Sequence, residues 1–255
     1  MGVKKLFDLS GRTALVTGGS RGLGLQIAEA LIEMGARVAI TARKKDELEE
    51  AKKHLGGSSS AFVSDIGKRE GIPALVDDVI RQCGPIQILV NNAGATWGAP
   101  AEQHPLEAWD KLVSVNLSGA FVLTQIVALK SMIPARWGRI INVASIAGLM
   151  GQDPRFAATA AYTATKHGLV GLTRQLAAEW GVHGITVNAI CPGFFPSKMT
   201  RATLDTAGAL IKEWTPTRRF GGEEDLKGLA VLLASEASRH ITGQAIAVDG
   251  GSSII

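Results

Sequence analysis

Seven short runs of apolar and β-branched residues recur along the chain, at 13–17, 37–41, 61–64, 86–91, 139–145, 186–190 and 245–248. Each is apolar almost without a break, the pattern of a strand covered on both faces. Between them, at 22–34, 46–54, 69–82, 106–132, 159–180 and 223–234, apolar residues return every three or four positions, which predicts helices. Strand and helix alternate, with connections too long for hairpins. The pattern therefore predicts an α/β fold: a doubly wound, seven-stranded parallel sheet with helices on both faces. In such sheets ligands bind beyond the carboxyl ends of the strands, so the residues that follow each strand are where chemistry is to be sought.

With 255 residues, 46% of them apolar, the chain can build one large α/β core. No interior stretch has a linker's composition and no repeat of fixed period occurs, so residues 1–255 read as a single domain. Residues 1–10 carry Lys4 and Lys5 but no apolar core, which speaks against a secretory signal. Gly2 suggests myristoylation, but Leu6 stands where that motif wants Ser or Thr. The longest weakly polar run, 140–151, is well short of a bilayer span. Cys83 and Cys191 are far apart and lack metal-ligand spacing, so reduced, buried thiols and no metal site are expected. These features predict a cytoplasmic protein without a membrane partner. The net charge of +4 raises nucleic acid as a partner. The pairs Lys44-Lys45 and Lys52-Lys53, however, sit among acids on a helix that reads as solvated, and no aromatics interleave with the basic residues. No nucleic acid partner is expected, and a phosphorylated cofactor accounts for the basic residues more simply.

The first strand runs into Thr17-Gly18-Gly19-Ser20-Arg21-Gly22-Leu23-Gly24, where a helix opens. Glycines there let the backbone approach a pyrophosphate closely, and the helix start offers free N–H groups and a positive dipole end. Gly18, Ser20, Arg21, Gly22, Leu23 and Gly24 are therefore candidate cofactor-binding residues. An NAD site of this kind places Asp or Glu at the end of the second strand to accept from the adenosine ribose. Here that end reads Thr41-Ala42-Arg43. Arg43, with Arg21, has the charge and the planar fork to grip an extra phosphate, so the expected cofactor is NADP(H). After the third strand, Asp65 and the neighbouring Ile66 fall where the adenine would lie, although Asp65, like Ser64, equally has the character of a helix cap. The fourth strand ends in Asn91-Asn92-Ala93-Gly94, whose small residues would let backbone and Asn side chains lie along the cofactor's ribose.

Tyr162, the chain's one tyrosine, stands four residues before Lys166, so phenol and ammonium share a helix face. At about 5 Å and an effective dielectric of ~20, the ammonium favours phenolate by roughly 3 kcal/mol, which would draw the tyrosine toward proton exchange near neutral pH. Taken in order, Thr-Gly-x-x-x-Gly-x-Gly at 17–24, Asn-Asn-Ala-Gly at 91–94, Asn116, Ser145, Tyr162-x-x-x-Lys166 and Pro192-Gly193 form a set that resembles the short-chain dehydrogenase/reductase family, from Leu9 to the ending Asp249-Gly250-Gly251.

The resemblance implies a single-domain Rossmann fold and an oxidoreductase that moves hydride between NADP(H) and a ketone or secondary alcohol. It implies that Tyr162 exchanges the proton, that Lys166 lowers the tyrosine pKa and bonds the nicotinamide ribose, that Ser145 holds the substrate oxygen and that Asn116 holds a water joining Lys166 to solvent. Pro192, Gly193, Phe195 and Ser197 would border the nicotinamide, Phe195 pressing on its face and Ser197 bonding its carboxamide, and residues 194–215 would form a substrate lid. One departure is the interval from Ser145 to Tyr162, a few residues longer than the family's usual one. Ser145 keeps its role because the strand 140–144 leads into it; Thr159 is the rival hydroxyl, set aside for its helical placement.

The substrate pocket would be bounded by 95–98, the inserted stretch and the lid, with Trp97, Phe156, Met199 and Trp214 as apolar candidates beside Arg155, Lys198 and Arg201. A hydrophobic ketone and a carboxylate-bearing substrate both fit. The long interval and the run Pro-Gly-Phe-Phe-Pro-Ser-Lys-Met-Thr resemble the gluconate 5-dehydrogenase-like branch, which points to a small polyol, sugar acid or ketone. The glycine turn and layout also resemble 3-oxoacyl-carrier-protein reductases, whose acidic partner would want a basic surface drawn from Arg136, Arg139, Lys198 and Arg201. A non-catalytic NADP-binding or structural subunit is the remaining class, and the complete catalytic set argues against it. The resemblance further implies a homotetramer assembled through the two long helices and the C-terminal strand region.

Overall fold

The computed structural model describes residues 2–255. Its strands are β1 (Thr13–Thr17), β2 (Arg37–Ala42), β3 (Ser59–Val63), β4 (Ile88–Asn91), β5 (Gly138–Val143), β6 (Ile185–Pro192) and β7 (Ala245–Val248). They form one parallel sheet in the order β3-β2-β1-β4-β5-β6-β7. The helices that return the chain are α1 (Gly22–Glu33), α2 (Lys45–Leu55), α3 (Ile72–Cys83), α4 (Leu106–Ala135), α5 (Ala160–Trp180), α6 (Arg201–Trp214) and α7 (Lys227–Ala234).

The two-residue period of a strand sorts the core into two layers. Ala14 and Val16 of β1 pack with Ile27 and Leu31 of α1, Leu48 of α2 and Leu233 of α7. Leu15, between them, packs with Val76 and Val79 of α3, Leu123 and Val127 of α4 and Leu176 of α5. The middle strands are wholly buried, whereas β3 and β7, at the two edges, are only partly so. Between β4 and β5 the core holds a polar ladder: Asn91 donates to Thr124 and to Asn142, which donates to Thr173, each at 2.8 Å. At the amino edge of the sheet the Trp137 ring carries the guanidinium groups of Arg12 and Arg139 at 3.8 and 4.4 Å.

Some boundaries differ from expectation for local reasons. The helix expected from 223 starts at Lys227, because the Asp225 carboxylate accepts from the Gly222 N–H at 2.7 Å and from Arg219, which closes a turn instead. The strand expected from 61 starts at Ser59, paired with Val38. The longest apolar segment differs from the one read in the sequence. At 30 residues α4 is long and apolar enough to cross a bilayer, which the run 140–151 was not. In this fold the helix covers the sheet, with Leu112, Leu123, Val127 and Met132 buried. Its apolar character is shared between a core-facing side and exposed Leu106, Trp109, Phe121 and Leu129.

Candidate active site

The glycine turn is tied down from two neighbouring strands. The Gly18 N–H donates to Thr41 O at 2.7 Å, which fixes the turn to the end of β2. From β4, Asn92 Nδ2 donates to Thr17 O at 2.9 Å and to Gly18 O at 3.1 Å, while Thr17 Oγ1 accepts from the N–H groups of Asn92 and Ala93 at 3.0 and 2.9 Å. Gly18 has φ +64°, and a Cβ there would meet Asn92 and Ala93 at 2.9 and 3.0 Å, so only glycine fits. Gly22, φ +55°, faces open space with nothing within 4 Å of where its Cβ would stand. Ser20, Arg21, Leu23 and Gly24 complete the turn and the start of α1. A backbone held in place beside an unfilled gap at a helix N-terminus is what a pyrophosphate requires, so these residues fit a dinucleotide.

Several cofactor-side expectations change in detail. The Asn side chains are engaged within the fold: Asn91 is built into the core ladder, and Asn92 Nδ2 anchors the turn. Asp65 Oδ1 accepts from the Gly67 N–H at 3.0 Å, a side-chain turn that precedes α3 rather than a cap on it, and Ile66 is buried in the core. Arg43 is exposed beyond β2. Arg21 is engaged by a residue the sequence reading passed over: its Nη1 stands 2.9 Å from Glu47 Oε1, which also takes Lys44 Nζ at 3.1 Å. Lys44, Arg21 and also Lys198 hold the Glu47 carboxyl below the usual carboxylate range.

The proton-transfer candidates converge where β4, β5 and β6 end. Ser145 follows β5 with extended backbone, and its Oγ accepts from the Ala147 N–H at 3.1 Å. Its hydroxyl is near enough to the Tyr162 phenol to hold down the phenol's pKa. Lys166, one turn on in α5, donates from Nζ to Val143 O at 2.7 Å and lies 5.6 Å from the centre of the Tyr162 ring. Asn116 occupies a π-type stretch of α4, Ser114–Gly119, where the wider turn swings its side chain onto Ala95. Its Oδ1 accepts from Ala95 N at 2.8 Å, and its Nδ2 donates to Ala95 O at 2.9 Å and Thr165 Oγ1 at 3.1 Å. Gly94 lies between the two groups: a Cβ there would stand 3.4 Å from Asn116 Oδ1 and 3.8 Å from Lys166 Nζ.

The electrostatics correct the expected tyrosine shift. Burial pushes the Tyr162 phenol up, the Ser145 hydroxyl acts the other way, and Cys191 adds to the rise. Lys166 does not reverse this: its Nζ is held on the Val143 carbonyl, and desolvation brings the lysine itself down to about 8. Cys191, fully buried at the end of β6, is the unexpected neighbour of this group, its thiol pushed up to about 11 by burial.

Residues 12–208 match the short chain dehydrogenase family. The chain belongs to this family. It is 38% identical to gluconate 5-dehydrogenase of Gluconobacter oxydans over 98% of this chain and 97% of that one. It is 40% identical to a 3-oxoacyl-[acyl-carrier-protein] reductase of Staphylococcus epidermidis, over 94% and 98% of the two chains. Among solved structures, a gluconate 5-dehydrogenase from Burkholderia cenocepacia in complex with NADP and tartrate superposes with a TM-score of 0.93 at 35% identity, covering all of both chains. The short-chain dehydrogenase fold expected from the motifs is thus borne out, and with it an oxidoreductase acting between alcohol and carbonyl.

On the substrate side of this dehydrogenase the four apolar candidates separate. Phe156 packs edge-on against Phe194 at 6.1 Å between ring centres and against Trp214 at 5.4 Å. Trp97 and Met199 are instead exposed, at 47% and 43%. Phe195 turns the other way. Its ring is buried in the core against Gly221, and it is Phe194, unmarked in the sequence, that meets Phe156. After buried Pro192 and partly buried Gly193, Ser197 is bonded within its own turn, Oγ to Thr200 Oγ1 at 3.0 Å and to Thr200 N at 3.2 Å. Thr159 is not helical: it holds the N-cap position of α5 without a side-chain capping bond, and Ala99 bridges to it. Of the four basic residues considered for an acidic partner, Arg139 is buried at the start of β5 and Arg136 precedes it, so both lie at the amino edge, away from the cleft.

Proposed function

We propose that the chain is an NADP(H)-dependent oxidoreductase that interconverts a ketone and a secondary alcohol, with a small polyol, sugar acid or ketone as substrate. The observation that carries this is the meeting of Ser145, Tyr162 and Lys166 beside Gly94, at the carboxyl edge where the glycine turn also opens. When bound, the dinucleotide supplies or accepts the hydride. Gly18 to Gly24, Ala93 and Gly94 line its path, and Arg21 and Arg43 are the cations at its adenosine end. The Ser145 hydroxyl positions the substrate oxygen beside the phenol, and Tyr162 donates its proton to that oxygen as the carbonyl is reduced. A phenol kept neutral by burial is the right form for that direction. Lys166, poised near pH 8, refills the phenol's proton, and the free lone pair of Asn116 Oδ1 holds the water that links it to solvent. Ser197 keeps lone-pair capacity for the nicotinamide carboxamide.

Support for a small substrate comes from the aromatic wall of Phe156, Phe194 and Trp214, and from the removal of Arg136 and Arg139 from the surface a carrier protein would meet. The 40% identical reductase keeps acyl thioesters as the second reading. A homotetramer is part of the proposal, supported by Trp109, Phe121 and Leu129 exposed on α4. NADPH oxidation against 5-ketogluconate, acetoacetyl thioesters, aryl ketones and diketones, with NADH in parallel, tests the function. Tyr162→Phe should lower turnover roughly 10³-fold and leave the NADPH Kd within about twofold. Undiminished turnover would remove Tyr162 from the chemistry, and tighter NADH than NADPH binding would overturn the cofactor.

A further inference from the structure

The end of β2 lacks an acid, yet a carboxylate reaches the same place from one turn into α2. Glu47 Oε1 takes both Arg21, from the glycine turn, at 2.9 Å and Lys44 at 3.1 Å. Arg21 is one of the two arginines that would hold the adenosine phosphate of NADP(H), and it is already occupied by an anion. We infer that Glu47 tempers the preference for NADP(H) by competing with the 2′-phosphate for Arg21, so that NADP(H) has to displace a carboxylate that NAD(H) leaves in place. The inference rests on the NADP(H) reading.

The competition follows from charge. A phosphate presents more negative charge than a carboxylate and takes the arginine fork bidentately, so it can win the guanidinium. Glu47 then stands beside that phosphate as a like charge, held in check by Lys44 and by the field of Lys198 from the segment leading into α6. A free adenosine ribose brings no such repulsion, and its hydroxyls can donate to the carboxylate. Arg21 and Glu47 are partly exposed, with side chains 51% and 28% accessible, so solvent screening holds the effect to a modest factor.

Kd values for NADPH and NADH, measured by fluorescence titration of wild type and Glu47→Gln at low and high salt, test this. The Kd ratio of NADH to NADPH should rise roughly three- to tenfold in Glu47→Gln, through tighter NADPH, and the gain should shrink as salt screens it. In an Arg21→Gln background the same substitution should move the ratio less than about twofold, since the contested partner is gone. Equal shifts for both dinucleotides, or no shift in a variant whose melting temperature matches wild type, would overturn the inference. The wild-type ratio tests the NADP(H) reading separately. If wild type bound NADH more tightly but Glu47→Gln still moved the ratio toward NADPH, that reading would fall and the inference would stand.

Discussion

On the cofactor side, where β1 and β4 end, the carboxyl edge is held by short polar bonds that converge on two residues, Thr17 and Asn92. On the substrate side, beyond β5 and β6, it is closed by ring contacts among Phe156, Phe194 and Trp214, which come from three separate segments. The first arrangement fixes a backbone to within hydrogen-bond tolerance, as a constant ligand such as a dinucleotide needs. The second is less directional, so its shape can change with one side chain while the fold stays put. One edge of one sheet thus separates what has to be constant from what sets the substrate.

Lys166 joins the two sides, bonded to Val143 O and close to Gly94, and its burial gives the largest effect. Its pKa is about 8 folded against an ordinary 10.5. Between those values the unfolded chain binds more protons, so this group makes stability rise with pH; below pH 8 the full penalty stands, about 3 kcal/mol. Lys166→Met removes the penalty. Its advantage in unfolding free energy over wild type should therefore be greatest near pH 6.5 and shrink by about 3 kcal/mol toward pH 10, read from denaturant titrations across that range. A difference constant with pH would mean that the junction is wet and that Lys166 is charged throughout.

Phe156→Ala and Asn92→Ala separate the two sides directly. Phe156→Ala strips the wall of its central ring, with an expected loss of about 2 kcal/mol and a roughly tenfold rise in substrate KM at unchanged NADPH Kd. Asn92→Ala unties Gly18, with an expected loss of about 1 to 2 kcal/mol and a roughly fivefold weaker NADPH, while substrate KM at saturating cofactor stays within about twofold. If either variant moved both ligands alike, the edge would be one cooperative site rather than two.

The same contrast explains what the sequence made legible. The glycine turn and the Tyr162–Lys166 pair stand out because they act through local backbone geometry and a helical spacing, whereas Asn116 and the role of Ser145 followed from the resemblance; the seven strands stand out because the sheet's apolar runs are nearly unbroken, wholly buried in the middle strands and partly so in β3 and β7. Phe195 was misread because adjacent phenylalanines after Pro192-Gly193 are equivalent as letters; which one enters the core depends on Gly221, 26 positions on, which leaves room for its ring. Glu47 is not legible at the end of β2, because it is the first turn of α2, folding back onto Arg21, that brings its carboxylate there. The tyrosine shift was misjudged because a pairwise charge estimate contained no desolvation, and in this site desolvation dominates.

The smallest expected effect concerns the inserted stretch and decides what kind of substrate the wall admits. Arg155 was a candidate for gripping a substrate carboxylate, but its Nε stands 3.0 and 2.9 Å from the two Asp153 oxygens and its Nη2 2.5 Å from one of them, so a carboxylate already fills its fork. Arg155 is exposed at 70%, and such a pair adds little to stability, so Asp153→Ala should fold as wild type does. What the substitution changes is the charge offered next to Phe156. If the substrate is a sugar acid that approaches this stretch, freeing the guanidinium should lower its KM by about two- to threefold and leave an uncharged polyol or ketone unmoved, and the difference should vanish at high salt. A KM that moves for neither class, alongside the Phe156→Ala effect, would show that the substrate meets the ring wall without meeting the arginine, which favours an uncharged carbonyl compound over a sugar acid.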